Sequence, residues 1–170
     1  MTPDPETLVT PAMVEQKNTW RSPRFSPSIS VSDIKKWAIA AYWPAAPPPI
    51  YWDEDYAKTT RWGGIIAPPE FNPFAWPIHR EIEPSVNLPA GGKSVAADGA
   101  PGNRGMNGGQ VIEYFAPMRP GDVMSSTTAL VDWNERKTRL GLTLFSISET
   151  RWTNQKGELV KISRNTSIRY

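Results

Sequence analysis

The chain has 170 residues, 19 Lys plus Arg against 17 Asp plus Glu for a net charge of +2, no Cys and one His. That length suits one domain able to bury about 70% of the surface its unfolded form exposes. The near balance of charge offers no field to favour nucleic acid or an anionic membrane, and the lack of Cys excludes disulfides, thiolate nucleophiles and sulfur-ligated zinc.

The N-terminal run MTPDPETLVTPAMVEQ is acidic and broken by proline. It has neither the basic start nor the apolar core of a secretory signal, and no later stretch has membrane-spanning length, so the expected compartment is the cytoplasm. Residues 1–30 read as an arm over the surface with an apolar patch near Trp20, ahead of a single domain over 31–170. From Ser32, SDIKKWAIAAYW places Ile34, Trp37, Ala38 and Ala41 at helical spacing behind a serine cap, and Pro44 stops it. Asp53 to Arg61 predicts a further helical turn or two closed by Gly63 and Gly64. Pro68 and Pro69 suit a helix's first turn, so IIAPPEFNPFAW predicts a buried helix from Pro68 to Trp76. Residues 83–107, rich in Gly, Pro and Ala, read as a long loop with either a lid role or no order.

Beyond Gln110 the pattern changes to alternation. QVIEYFAP, DVMSSTTALVDW, RLGLTLFSISETRW and ELVKISRNTSIRY predict four strands, joined by MRPGD, NERKT and TNQKGE as an antiparallel meander. Strands this long imply a curved sheet that buries one face against helix, an α+β architecture. The text stops on SIRY inside a strand, which suggests a natural protein that continues past Tyr170.

Four phrases in order, SDIKKWAIA, PPPIYWDEDYAKTTRWGGIIAPPEF, IEYFAPMRPGDVM and SETRWTNQKGEL, make the chain resemble the N-terminal half of MaoC-like dehydratases from about residue 30 onward. The resemblance implies a hot-dog fold, a curved antiparallel sheet wrapped around a helix, and the hydration of 2-enoyl thioesters without cofactor or metal. In that family an Asp and a His hold one water over the β-carbon, while amide donors at a helix start stabilise the developing enolate oxygen. Aligned through YWDEDYA, the family's first Asp falls on Ala46, its Asn on Pro48 and its His on Tyr51. The donor glycine of the helix start falls on Pro69, which has no N–H to give. Neither Asp nor His occurs between Tyr42 and Trp52.

Active units of this family set two hot-dog folds side by side, one half often silent. The resemblance, which extends to the large subunit of bacterial steroid side-chain enoyl-CoA hydratases, therefore implies a non-catalytic subunit that makes room for a bulky or long-chain 2-enoyl-CoA. The partner, a MaoC-like hot-dog subunit in a heterodimer or heterotetramer, would bring the Asp/His dyad. Substrate contacts expected on this reading are Trp52, Trp62, Gly63, Gly64, Phe71, Arg104, Gly105 and Asn107, with Arg104 and its neighbours either meeting coenzyme A or simply forming a flexible loop. Tyr51 with an ordinary phenol pKa near 10 is a poor base and reads as packing. Asp53, Glu54 and Asp55 read as acids favoured at a helix start, and His79 as a structural hydrogen-bonder. Two rivals remain: an acyl-CoA-binding scaffold with no enzymatic role, and a self-sufficient hydratase or thioesterase using His79 or Asp53.

Overall fold

The computed structural model describes residues 6–75 and 102–170. Their main feature is a five-stranded antiparallel sheet of order β1-β3-β4-β5-β2, formed by β1 (Arg24–Ser28), β2 (Gly105–Tyr114), β3 (Val123–Thr138), β4 (Gly141–Thr153) and β5 (Leu159–Arg169). The helices are α1 (Pro11–Gln16), α2 (Val31–Tyr42) and α3 (Glu54–Thr59), with a single 3-10 turn at Pro49–Tyr51. Register shifts interrupt β1–β3, β2–β5, β3–β4 and β4–β5. Each bulge strengthens local twist, and together they curve the long strands.

Helix α2 follows the amphipathic pattern, but its cap is Ser30, not Ser32. Ser30 Oγ accepts from the Asp33 amide (3.0 Å) and donates to the Asp33 carboxylate (2.7 Å), a reciprocal bond that fixes the first turn two residues earlier. Ile34 is fully buried and joins Ile29, Ile65, Phe71, Met124, Trp152 and Val160 in the core. The helix thus seats its apolar stripe on the sheet.

Three expectations need correction. β3, β4 and β5 do form a meander, but β2 leaves it and pairs with β5 at the far edge. Residues 115–122 carry the chain across; the proline-containing APMRPGD cannot close a two-residue hairpin. Second, Pro68–Ala75 contains turns and no helix, with Phe71 N bonded to Pro68 O (2.9 Å). Pro69 and Pro73 deny the donors a helix would need there, and Trp76 lies outside the described residues. Third, β2 begins at Gly105, inside the stretch read as loop, because the bulge between Asn107 and Gly109 accommodates the glycines. Gly109 has φ +113°, and a Cβ on Gly108 would stand 2.8 Å from Thr166 Cγ2. The rest of that expected loop lies outside the described residues.

The first 30 residues lie partly on the sheet. β1 pairs with β3 as its outer edge, where Pro27 costs no ladder bond on the solvent side. Lys17 pairs with Asp132 (3.2 Å), and Arg151 stacks on Trp20 with its guanidinium 4.4 Å from the ring centroid.

Candidate acyl pocket

A pocket of about 160 Å³, open to solvent on one side, lies where three segments meet β5. The 3-10 turn supplies Tyr51. Residues 62–69 supply Trp62, Ile66, Ala67 and Pro69. The end of β2 and the strand-to-strand crossing supply Tyr114, Phe115 and Met118, and β5 supplies Val160 and Lys161.

Backbone bonds hold these segments together. Ala67 N donates to Met118 O (2.9 Å), and Phe115 N donates to Val160 O (2.9 Å). Arg119 fixes Trp62, donating from Nη1 to the Trp62 carbonyl at 2.7 Å, while the guanidinium of Arg61 lies 4.3 Å from the indole centroid. A delocalised cation on an indole face supports such placement without a rigid carboxylate partner.

Of the positions singled out by the motif frame, Tyr51 and Pro69 are on this wall and Ala46 is an exposed residue of the preceding loop. The Tyr51 phenol is pushed up to about 12, chiefly by burial, then by the neighbouring Tyr42 hydroxyl and Glu70. It keeps its proton at any physiological pH, so it donates and cannot serve as a base. The rings of Tyr42 and Tyr51 are 6.0 Å apart.

The expected contact residues divide. Trp62 lines the pocket, with Gly63 and Gly64 in the turn beside it. Trp52 is on the surface, its indole N–H donating to Pro47 O (3.1 Å). Phe71 is core, 1% exposed and edge-on to Trp37 at 5.5 Å. Arg104, Gly105 and Asn107 stand at the start of β2, with Arg104 bonded through its backbone to Tyr170. Strand rise puts Gly105 about 30 Å from Tyr114, so these three residues are apart from the pocket.

The acidic cluster has structural work. Asp53 caps α3, accepting from the amides of Asp55 (3.1 Å) and Tyr56 (3.0 Å). Glu54 pairs with Lys35 and Asp55 with Lys58, both at 2.9 Å. No cluster of His, Asp or Glu suited to a metal occurs among the described residues, and His79 lies outside them. The larger wall residues that sequence reasoning missed include Ile66, Tyr114, Phe115, Met118, Val160 and Lys161. The one available signal was Lys161 itself, a charge inside the apolar run Leu159-Val160-Lys161-Ile162.

Residues 17–163 match the family described as FAS1-like, dehydratase domain region. The chain belongs to that family. Its fold is that of MaoC-like dehydratases: the MaoC-like dehydratase of Rhodospirillum rubrum superposes with a TM-score of 0.54 at 17% identity, over 88% of this chain and 90% of that one. The ChsH1-ChsH2 complex of Mycobacterium tuberculosis gives 0.65 at 20% identity, over 94% of both. HadBC, a 3R-hydroxyacyl-ACP dehydratase complex of the same organism, gives 0.55 at 17%, over 88% and 93%. At such identities the likeness is one of fold, the hot-dog. No curated protein matches the sequence directly, and no described helix is long and apolar enough to cross a membrane.

Proposed function

We propose that this chain is the non-catalytic, substrate-accommodating subunit of a heteromeric enoyl-CoA hydratase acting on a bulky or long-chain 2-enoyl-CoA. It is one hot-dog unit over residues 31–170, with residues 1–30 as an arm that lends it strand β1. The observation that carries the reading is the wall of the pocket: aromatic and aliphatic groups, two phenols and an amine, with no carboxylate or imidazole among the described residues that line it. Hydration needs a base to take a proton from water and an acid to return one to the α-carbon. Tyr51, held protonated to about pH 12, fails as the base, and Pro69 has no amide to stabilise an enolate.

The fold also leaves a place for the partner. β2 is the outermost strand of its edge, and Met106, Val111, Tyr114 and Phe115 on or just after it are exposed. Such an edge presents unpaired backbone groups to a further sheet. Two of the similar structures are themselves complexes, ChsH1-ChsH2 and HadBC, which supports a second hot-dog subunit as that partner.

The test is reconstitution. The chain alone, mixed with crotonyl-CoA and longer enoyl-CoAs, is expected to leave the enoyl absorbance unchanged. Mixed with a MaoC-like protein that carries the intact Asp/His motif, it is expected to co-elute and to raise hydration of the longer substrates at least tenfold over that protein alone, the order expected when an apolar tail gains a wall. Turnover by the chain alone would refute the reading. A partner that co-elutes but hydrates no faster would leave a scaffold instead.

A further inference from the structure

Every polar side chain among the described residues of the pocket wall can donate a hydrogen bond, and none is a carboxylate. The side chains offer the hydroxyls of Tyr51 and Tyr114, the Trp62 indole N–H and the Lys161 ammonium. Lys161 is buried, 9% exposed, and its Nζ rests 3.4 Å from the centroid of Trp152. Among the described residues it has no hydrogen-bond acceptor and no carboxylate within ion-pair distance.

The lysine is held there by the sheet. Thr153 pairs with Leu159 and Trp152 with Lys161, so Val160 is an extra residue, a bulge in β5. Bulges re-aim side chains, and this one brings both Val160 and Lys161 to the same pocket. Across the sheet Lys161 stands between Trp152 on β4 and Tyr114 on β2. Trp152 is fixed in turn by Phe74, edge-on at 5.1 Å.

Burying an ammonium without an acceptor is unfavourable, and an indole face recovers only part of the cost. Desolvation by burial accordingly holds the lysine below its ordinary pKa, against a weaker opposing pull from Glu70. A methionine would fill the same space without that cost. The unmatched charge therefore points outward to a ligand.

We propose that Lys161 is the polar anchor of this pocket, selecting an apolar ligand that carries a neutral acceptor oxygen, a ketone or ester-type carbonyl. The inference rests on the pocket being the acyl site. Neutral oxygen is favoured over carboxylate because Glu70, which follows the wall residue Pro69 in the chain, already sets a negative charge beside the pocket, felt by Tyr51, Tyr114 and Lys161 alike, and would repel a second anion. Tyr114, its pKa raised by burial and then by Glu70, stays protonated as a second donor beside the amine.

Binding to the full chain tests this without any partner or turnover. Diphenylhexatriene, a hydrocarbon dye with no acceptor oxygen, serves as the apolar reporter, displaced by 2-decanone, decane or decanoate, in the wild type and in Lys161→Met. Decanone is expected to displace the dye from the wild type at about one-tenth the concentration needed for Lys161→Met, as fits a hydrogen bond to a charged donor. Diphenylhexatriene and decane, which offer the lysine nothing, should bind both proteins within about twofold, showing the pocket intact. Equal decanone affinity in the two proteins, a preference for decanoate, or no dye binding to the wild type would each overturn the inference. Reconstituted hydration is a separate readout, so the subunit reading can fail while this one stands, and the reverse.

Discussion

The two faces of the sheet each bury a charge and treat it in opposite ways. On one, Glu149 is buried and receives Arg151 Nε and Arg164 Nε, both at 2.7 Å, while Arg164 also reaches Glu113. On the other, three residues along β4, Trp152 packs against Lys161, which has a ring face and, among the described residues, no counter-ion. Alternation along β4 separates them: Glu149 and Arg151 point one way and Trp152 the other. Burial opposes ionisation at both sites, but only at Glu149 do partners overcome it. Two arginines draw its pKa below the usual carboxylate value despite desolvation, whereas Lys161 is left depressed. The first face is finished by folding; the second is completed only by something that binds.

The sharpest way to break this contrast is Glu149→Ala. Removing a buried acceptor from two cations is a large perturbation, moderated because both arginines are about half exposed and regain water. A loss of about 2 kcal/mol follows, or roughly 6 °C in Tm for a chain of this size. Because the folded pKa of Glu149 is lowered, its contribution is present above the unfolded value near 4.3 and fades as pH falls through the folded one. Thermal melts of both proteins should therefore differ at pH 7 and converge near pH 3. A gap that persists in acid would mean the arginines are not what holds Glu149.

Lys161→Met should move stability the other way. A lysine depressed by burial leaves the unfolded state binding more protons between the folded value and about 10.4, so wild-type stability rises with pH in that window. The variant, free of the desolvation cost, should melt about 3 °C higher at neutral pH, on the order of 1 kcal/mol. That advantage should shrink as pH approaches 10. Stability gained with carbonyl affinity lost is the mark of a functional residue kept at a cost to folding; lower stability in the variant would make Lys161 an ordinary part of the core.

What was legible in the sequence follows a physical division. Elements with their own periodicity were readable: the apolar spacing of Ile34, Trp37 and Ala38 specifies α2, and the alternation of residues 122–170 specifies three long strands. β1 escaped because RFSPS carries a proline inside the arm and is held only by pairing with β3. Strand order escaped because nothing local says that β2 will leave β3 for β5. In the site, the spacing to YWDEDYA drew attention to Tyr51 and Pro69, and both line the pocket. Phe71 was misplaced into the pocket because an aromatic among prolines has no phase to tell core from cavity. Lys161 was missed for a related reason, since the bulge at Val160 breaks the alternation that assigns faces.

Tyr51→Phe should have the smallest effect, and that smallness is informative. If the phenol replaced the family's histidine as an acid, its loss would slow the reconstituted complex by about 100-fold or more. As a packed donor bonded to Tyr42, it should change hydration less than about twofold and stability by at most ~1 kcal/mol at pH 7. The phenol shows itself only in alkali. Its folded pKa of about 12 exceeds the ordinary 10, so the stabilisation it gives is complete below pH 10 and lost as pH rises toward 12. Wild-type melting temperature should fall across that interval more steeply than that of Tyr51→Phe. Parallel slopes would mean that Tyr51 ionises as freely in the folded chain as in the unfolded one, and that burial and Tyr42 do not hold its proton.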